Sequence, residues 1–230
     1  MARAEAKATE GPAKAERLPL SRARIVEAAL RVMDAEGLEA VTMRRIGREL
    51  GVEAMSLYNH VRDKDDLLEG VIEEVLSEFR YEPEGEDWLT QATAAASEWR
   101  RLLRAHPNVI GLLVERKHPR SSPEAIRPME IAFELLRSAG LSEKDAVSAF
   151  RAIGSFIFGH VLMETGNIAP GPETIEEVEE LRRFAAAEFP RFAELLPEMI
   201  ACDMDQTFSF GLELLLRGLL ARANELPAAT

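Results

Sequence analysis

Residues 42–64 read TMRRIGRELGVEAMSLYNHVRDK, and their spacing predicts two short helices joined by a tight turn. Thr42 is a natural N-cap, since its hydroxyl oxygen accepts from a backbone N–H of the first turn. Ile46 and Leu50 then fall one turn apart on a single face. Gly51 supplies the left-handed conformation that a sharp helix exit needs, so the chain turns at Gly51-Val52 and starts a third helix near Glu53, carrying Leu57, Tyr58 and Val61. Upstream, Val26, Ala29, Leu30 and Met33 form the stripe of a first helix that Ser21 caps and Gly37 ends. Ile46, Leu50, Val52, Leu57 and Val61 lock the two short helices against its Ile25 and Ala29. The opposite face is left free and presents Arg44, Arg48, Ala54, Met55, Ser56 and Asn59, groups small or polar enough to enter a major groove. This is helix-turn-helix geometry.

Charge supports a local rather than a global anion-binding surface. The 230 residues carry 28 basic and 40 acidic side chains, a net of −12, which excludes a basic coat for nucleic acid or a polybasic membrane binder. Residues 41–64 nevertheless hold five basic side chains against three acidic ones, a net of +2. Any one of these arginines would read as an ordinary solvated residue; the assembly of cap, core spacing, glycine turn and polar outer face reads as DNA binding. Tyr58, His60 and Lys64 lie where they reach phosphate oxygens, which set register without reading sequence.

With 47% hydrophobic and 30% charged residues, the composition is that of a packed globular protein. The single cysteine, Cys202, fits a reducing cytoplasm and is expected as a small buried side chain. No uninterrupted apolar run of about 18 residues implies a membrane span. Residues 1–17 have little to bury and read as a mobile tail.

Beyond the third helix, Asp63 caps a fourth whose Leu68, Val71, Ile72, Val75 and Phe79 share a stripe reaching about Arg80. Residues 81–87, YEPEGED, read as a linker. A stripe of Trp88, Ala92, Ala95, Trp99 and Leu102 follows, then a break at His106-Pro107 and an apolar run at 109–114. Residues 118–123 read as a loop. Ser122-Pro123 starts a helix bent by Pro128, with Met129, Ala132, Phe133 and Leu136 on one face. Residues 142–164 and 205–221 are helices apolar nearly all round, so each needs cover on more than one side. Residues 165–172 are turn-rich, and 175–187 form an acidic helix with a solvated face. The fold class is all-α, with a tail at 1–17, a DNA-binding unit at 18–80 and a helical regulatory unit at 87–224.

Residues 21–79, with LGVEAMSLYNHVRDKDDLL at their centre, resemble the DNA-binding domain of the tetracycline-repressor (TetR) family. The runs AIGSFIFG at 152–159 and FGLELLLRGL at 210–219 are similar to runs in the regulatory domain of the tetracycline repressors. The resemblance implies a homodimer that holds a palindromic operator and releases it when a small molecule fills the regulatory unit. It implies base contacts from Arg44, Ser56 and Asn59, flanked by Ala54 and Met55, and backbone contacts from Thr42, Tyr58, His60 and Lys64. One recognition unit reads only a few base pairs, so two heads about 34–36 Å apart are needed. The two apolar helices supply the symmetry by pairing with their copies through Phe150, Gly154, Phe158, Gly211, Leu215 and Gly218, with Gly159 also allowing close approach.

The ligand pocket is expected among Trp99, Leu103, His106, Leu113, Met129, Phe133, Phe156, Ile157, His160 and Met163. His106, His118 and His160 lack metal-ligand spacing, so no metal or other cofactor is expected. Where the tetracycline repressors place a glutamate that reaches the drug's magnesium through water, this chain has Met163. A more hydrophobic, aromatic or polyketide-like effector fits Phe156, Phe158 and Met163 better. The fourth helix is the expected lever between ligand and DNA. Two other classes stay open: an all-α enzyme using His106 or His160 as general base, and a ligand-binding or adaptor protein that does not bind DNA.

Overall fold

The computed structural model describes residues 19–82, 87–115, 122–166 and 174–225, and contains no strand among them. The proposed tail at 1–17, residues 83–86 of the linker, residues 118–121 of the loop with His118, and residues 167–172 of the turn-rich stretch lie outside the described residues.

Helix α1 (Arg22–Glu36) begins where Ser21 Oγ accepts from the Arg24 N–H and ends at Gly37, whose φ of 85° suits only glycine. A single 3-10 turn, Leu38–Ala40, leads to Thr42, whose Oγ1 accepts from the Arg45 N–H at 3.2 Å and starts α2 (Met43–Leu50). Gly51 closes α2 in the left-handed region, with φ 67° and ψ 35°. At Gly47, a Cβ would sit 2.9 Å from the Val52 carbonyl oxygen and 3.2 Å from the Ala54 nitrogen, so the absent side chain lets α3 lie directly on α2.

The third helix is shorter than its apolar spacing predicts. Helix α3 spans one turn, Ala54–Leu57. Tyr58, Asn59 and His60 form a turn held by i to i+3 bonds, and Val61 is buried beyond the helix. The three intervening residues are exposed and have nothing to bury that would reward a further turn. Asp63 then caps α4 (Lys64–Ser77) by accepting from the Asp66 N–H at 2.8 Å. The stripe runs on to Phe79, but as turns rather than α-helix.

Seven further helices follow: α5 (Trp88–Ala105), α6 (Val109–Val114), α7 (Pro123–Ser138), α8 (Glu143–Glu164), α9 (Ile175–Ala185), α10 (Pro190–Ile200) and α11 (Met204–Glu225). Helix α7 starts on a Ser122 cap with Pro123 at its first position and continues through Pro128. Helix α8 packs against α5, α7 and α11, while α4 packs against α1, α6 and α7. One continuous core therefore runs from Ile25 and Leu57 through Val75 and Phe79 to Leu102, Ile157 and Leu216. By length and composition α8 could cross a membrane; here its inward residues join the core or line a cavity, and the remainder is exposed.

Helix α10 starts on Pro190 without the side-chain cap that begins α1, α2, α4, α5, α7, α8 and α9, and it holds a second proline, Pro197. It pairs with α9, leaving Ile175, Phe184, Phe189, Leu195 and Met199 exposed. Cys202 is exposed rather than buried, because it sits in the surface corner between α10 and α11, with Sγ 2.8 Å from Thr207 Oγ1.

Candidate nucleic-acid interface and ligand cavity

The three arginines of α2 divide by what holds them. Arg45 Nη2 lies 2.6 Å from Glu36 and its Nη1 2.8 Å from Glu49, so it fastens α2 to the end of α1. These hydrogen bonds, that to Glu36 first, hold the Arg45 guanidinium above its ordinary pKa, and the reciprocal bond holds the Glu36 carboxyl below its own. Arg44 and Arg48 are exposed and form no ion pair among the described residues. Around them Met55 is 74% exposed and Tyr58, Asn59, His60 and Lys64 are exposed, whereas Ala54 and Ser56 are half-buried beside α2. Thr42 is exposed and already engaged as the cap of α2. The residues named for base and backbone contact thus lie on α2 and its cap, on the single turn of α3, in the turn that follows it and at the first position of α4.

Asp66 braces this unit from behind. Its carboxylate accepts from the Arg62 backbone N–H at 2.8 Å and from Arg22 at 3.1 Å, tying α4 to α1. The Arg62 N–H chiefly, with Arg22 adding to it, holds the carboxyl below its usual range.

The end of α4 meets the α5–α6 corner through polar contacts. His106 Nδ1 lies 2.9 Å from Asp34 of α1, and Nε2 lies 3.4 Å from Glu78. Asn108 Nδ2 donates to the Met33 carbonyl at 2.9 Å, and the Arg80 N–H donates to Glu98 at 2.8 Å. His106, expected in the pocket, is therefore a clasp between α1, α4 and the remaining helices.

A cavity of about 660 Å³ opens among α4, α5, α6, α7, α8 and α11, within the size range of small-molecule sites. Trp99, Leu113, Met129 and Ile157 line it, as does the turn of α4 through Leu76 and Phe79. Trp88 also lines it; its Nε1 donates to the Leu135 carbonyl at 2.6 Å, so the indole offers the cavity an apolar face. The other residues named for the pocket lie elsewhere. Leu103 is fully buried in the core, and Phe133, outside the lining, meets the ring of Phe150 at a tilt of 37° with centroids 4.8 Å apart. Phe156 and His160 turn toward α11, with centroids 5.5 and 5.2 Å from the Phe208 ring, and His160 Nε2 lies 2.9 Å from the Met204 carbonyl oxygen. Met163 is exposed.

The rotation of α8 explains both this and the residues named for dimerisation. Phe150, Gly154 and Phe158 recur every four residues and face the cavity, not the outside. Gly211 faces inward as well, since a Cβ there would sit 2.7 Å from the Phe156 ring. Leu215 is half-buried, and only Gly218 of that set is exposed with open space beside it. The exposed residues of α8 that do not line the cavity include instead Val147, Ser148 and Ala152, and α11 exposes Phe210 and Leu214.

An ionic cluster that no local sequence pattern announces joins α5, α8 and α11, with the Arg100 and Glu164 side chains buried and Asp205 at its exposed edge. Arg100 of α5 pairs with Glu164 of α8 and, at 2.6 Å, with Asp205 of α11, and its guanidinium carbon lies 4.4 Å above the Phe208 ring. Burial works against the Arg100 charge, but the hydrogen bonds it donates to Glu164 and Asp205 outweigh that and raise the pKa. The only sequence signal was a charged residue beside an apolar stripe. Among the described residues no group of His, Cys, Asp or Glu is arranged to hold a metal ion.

A helix-turn-helix unit with free arginines, joined through α4 to a hollow helical unit, defines a DNA-binding transcriptional regulator that responds to a ligand. The chain belongs to the tetracycline-repressor family: residues 25–71 match "Bacterial regulatory proteins, tetR family" and residues 82–223 match "Tetracyclin repressor-like, C-terminal domain". It is 32% identical over 219 residues to the HTH-type transcriptional repressor DrrR1 of Streptomyces coeruleorubidus, covering 90% of this chain and 80% of that one. Its structure is similar to that of apo ActR from Streptomyces coelicolor, with a TM-score of 0.75 and 32% identity over 90% of this chain and 98% of that one. ActR in complex with actinorhodin matches with a TM-score of 0.74 and 34% identity, covering 90% of this chain and all of that one.

Proposed function

We propose that the chain is a repressor that binds a palindromic operator as a homodimer and is released by a hydrophobic aromatic effector in the α4–α8 cavity. In this reading residues 18–80 form the DNA-binding unit and 87–224 the regulatory and dimerisation unit. The protein works in the cytoplasm, without a catalytic role or cofactor. The observation that carries it is that Leu76 and Phe79, which end the helix holding the DNA-binding unit, are also walls of the cavity. A ligand there touches the lever directly.

Arg44, Ser56 and Asn59 are the proposed base readers, with Met55 placed against a thymine methyl and Ala54 leaving room for the groove edge. Thr42, Tyr58, His60 and Lys64 hold phosphates. The exposed faces of α8 and α11 pair with their copies, and the small side chains of Ser148 and Ala152 support close approach. The aromatic lining, Trp88, Trp99, Phe150 and Phe158, and the actinorhodin bound by ActR support an aromatic effector of the polyketide kind. Ligand favours a dimer whose α3 turns no longer match successive major grooves.

The test is selection of bound duplexes from a random library, followed by titration of the selected duplex with actinorhodin and simpler anthraquinones. Recovery of an inverted repeat and its release by an aromatic compound support the proposal. A protein that selects no duplex while still binding aromatic compounds would instead be a ligand-binding or adaptor protein.

A further inference from the structure

We propose that the effector is an aromatic acid, and that Arg151 of α8 is the residue that selects for its anionic group. This rests on the reading of the cavity as the effector site and names the chemistry of its occupant. Arg151 is the one ionisable side chain lining the cavity among the described residues, and no acid lines it. Its guanidinium forms no ion pair or hydrogen bond there, in contrast to Arg45, Arg100 and Arg101, each held by a carboxylate.

Position gives the cation its role. Arg151 and Ser155 lie one turn apart on α8 and, like Val114 at the end of α6, are exposed while lining the cavity; of these three, Arg151 and Ser155 are the polar ones where it opens to solvent. Inward from them the walls are apolar and aromatic. A carboxylate carried deep into such walls would lose its hydration with nothing in return. Held at the mouth it keeps part of its water and gains the planar, two-pronged donor set of a guanidinium, with the Ser155 hydroxyl beside it. The ligand therefore enters ring-first, and its charge stays at the α8 edge.

Both tryptophans of the chain, Trp88 and Trp99, line the cavity, so quenching of their fluorescence reads occupancy. The experiment titrates the full chain with anthraquinone-2-carboxylate and with its methyl ester, and repeats both on Arg151→Gln and Arg151→Lys. The expected result is an acid bound about 10-fold or more tighter than the ester, a preference erased in Arg151→Gln and partly kept in Arg151→Lys. Equal binding of acid and ester by the unaltered chain, or a preference that survives Arg151→Gln, overturns the assignment of Arg151 while leaving an aromatic effector in place. If neither compound quenches the tryptophans, the cavity reading itself falls and the acid with it.

Discussion

The ring of Phe79, just past α4, meets the indole of Trp99 on α5 edge-on, with centroids 6.0 Å apart and planes at 66°. Both line the cavity. Trp99 in turn lies 6.4 Å from Phe158 of α8, so an aromatic row runs from the DNA-binding unit to the middle of the regulatory unit. Close-packed rings shift as a set rather than deform singly, which makes this row a means of turning occupancy into displacement of α4.

Phe79→Leu keeps apolar volume at the end of α4 but removes the edge-on contact with Trp99. The expected outcome is operator affinity within about 3-fold of the unaltered protein and a ligand-induced release weakened by roughly 10-fold, within the coupling range of residues between two sites. Anisotropy of a labelled operator, with and without effector, measures both.

The arginines of α2 should separate cleanly. Arg44→Ala removes a free guanidinium from the recognition face and should lower operator affinity by about 10- to 100-fold with the melting temperature unchanged. Arg45→Ala removes the tie to Glu36 and Glu49 and should lower the melting temperature while sparing sequence preference. Paired thermal melts and binding curves distinguish the two.

Gly47→Ala places a methyl group 2.9 Å from the Val52 carbonyl oxygen, backbone that moves only if α3 leaves α2. A loss of about 1–3 kcal/mol is expected, together with weaker operator binding, because the position of α3 depends on this contact. Urea unfolding measures the first and anisotropy the second.

Asp66 gives a pH signature. Its folded pKa lies below its unfolded value of about 3.9, so its contribution is complete above that value and disappears as pH falls through the folded one. Asp66→Asn should therefore cost about 1 kcal/mol at pH 7, and the difference from the unaltered protein should shrink as pH is lowered below about 4. Urea unfolding at a series of pH values follows it.

What the sequence made legible was local. The Ser21, Thr42 and Asp63 caps and the Gly51 turn act within four residues of chain, so the helix-turn-helix could be read directly. The rotation of α8 could not: it is apolar on nearly every side, and spacing alone does not say that Phe150, Gly154 and Phe158 face the cavity while Ser148 and Ala152 face out. Contacts between distant residues were equally hidden. His106 meets Asp34 across 72 positions and Arg100 meets Asp205 across 105. Nothing beside either residue in the chain announces its partner.

In the proposed mechanism the cavity and the recognition face share α4, so occupancy of one opposes occupancy of the other. Reciprocity requires that operator weaken effector binding by the same factor by which effector weakens operator binding. The deciding measurement is an effector titration, read by tryptophan quenching, on free protein and on protein saturated with its selected operator. Effector affinity is expected to be lower in the operator complex by about 5- to 150-fold, matching the shift seen when operator is titrated with effector present. Identical effector affinity in the two states would contradict it.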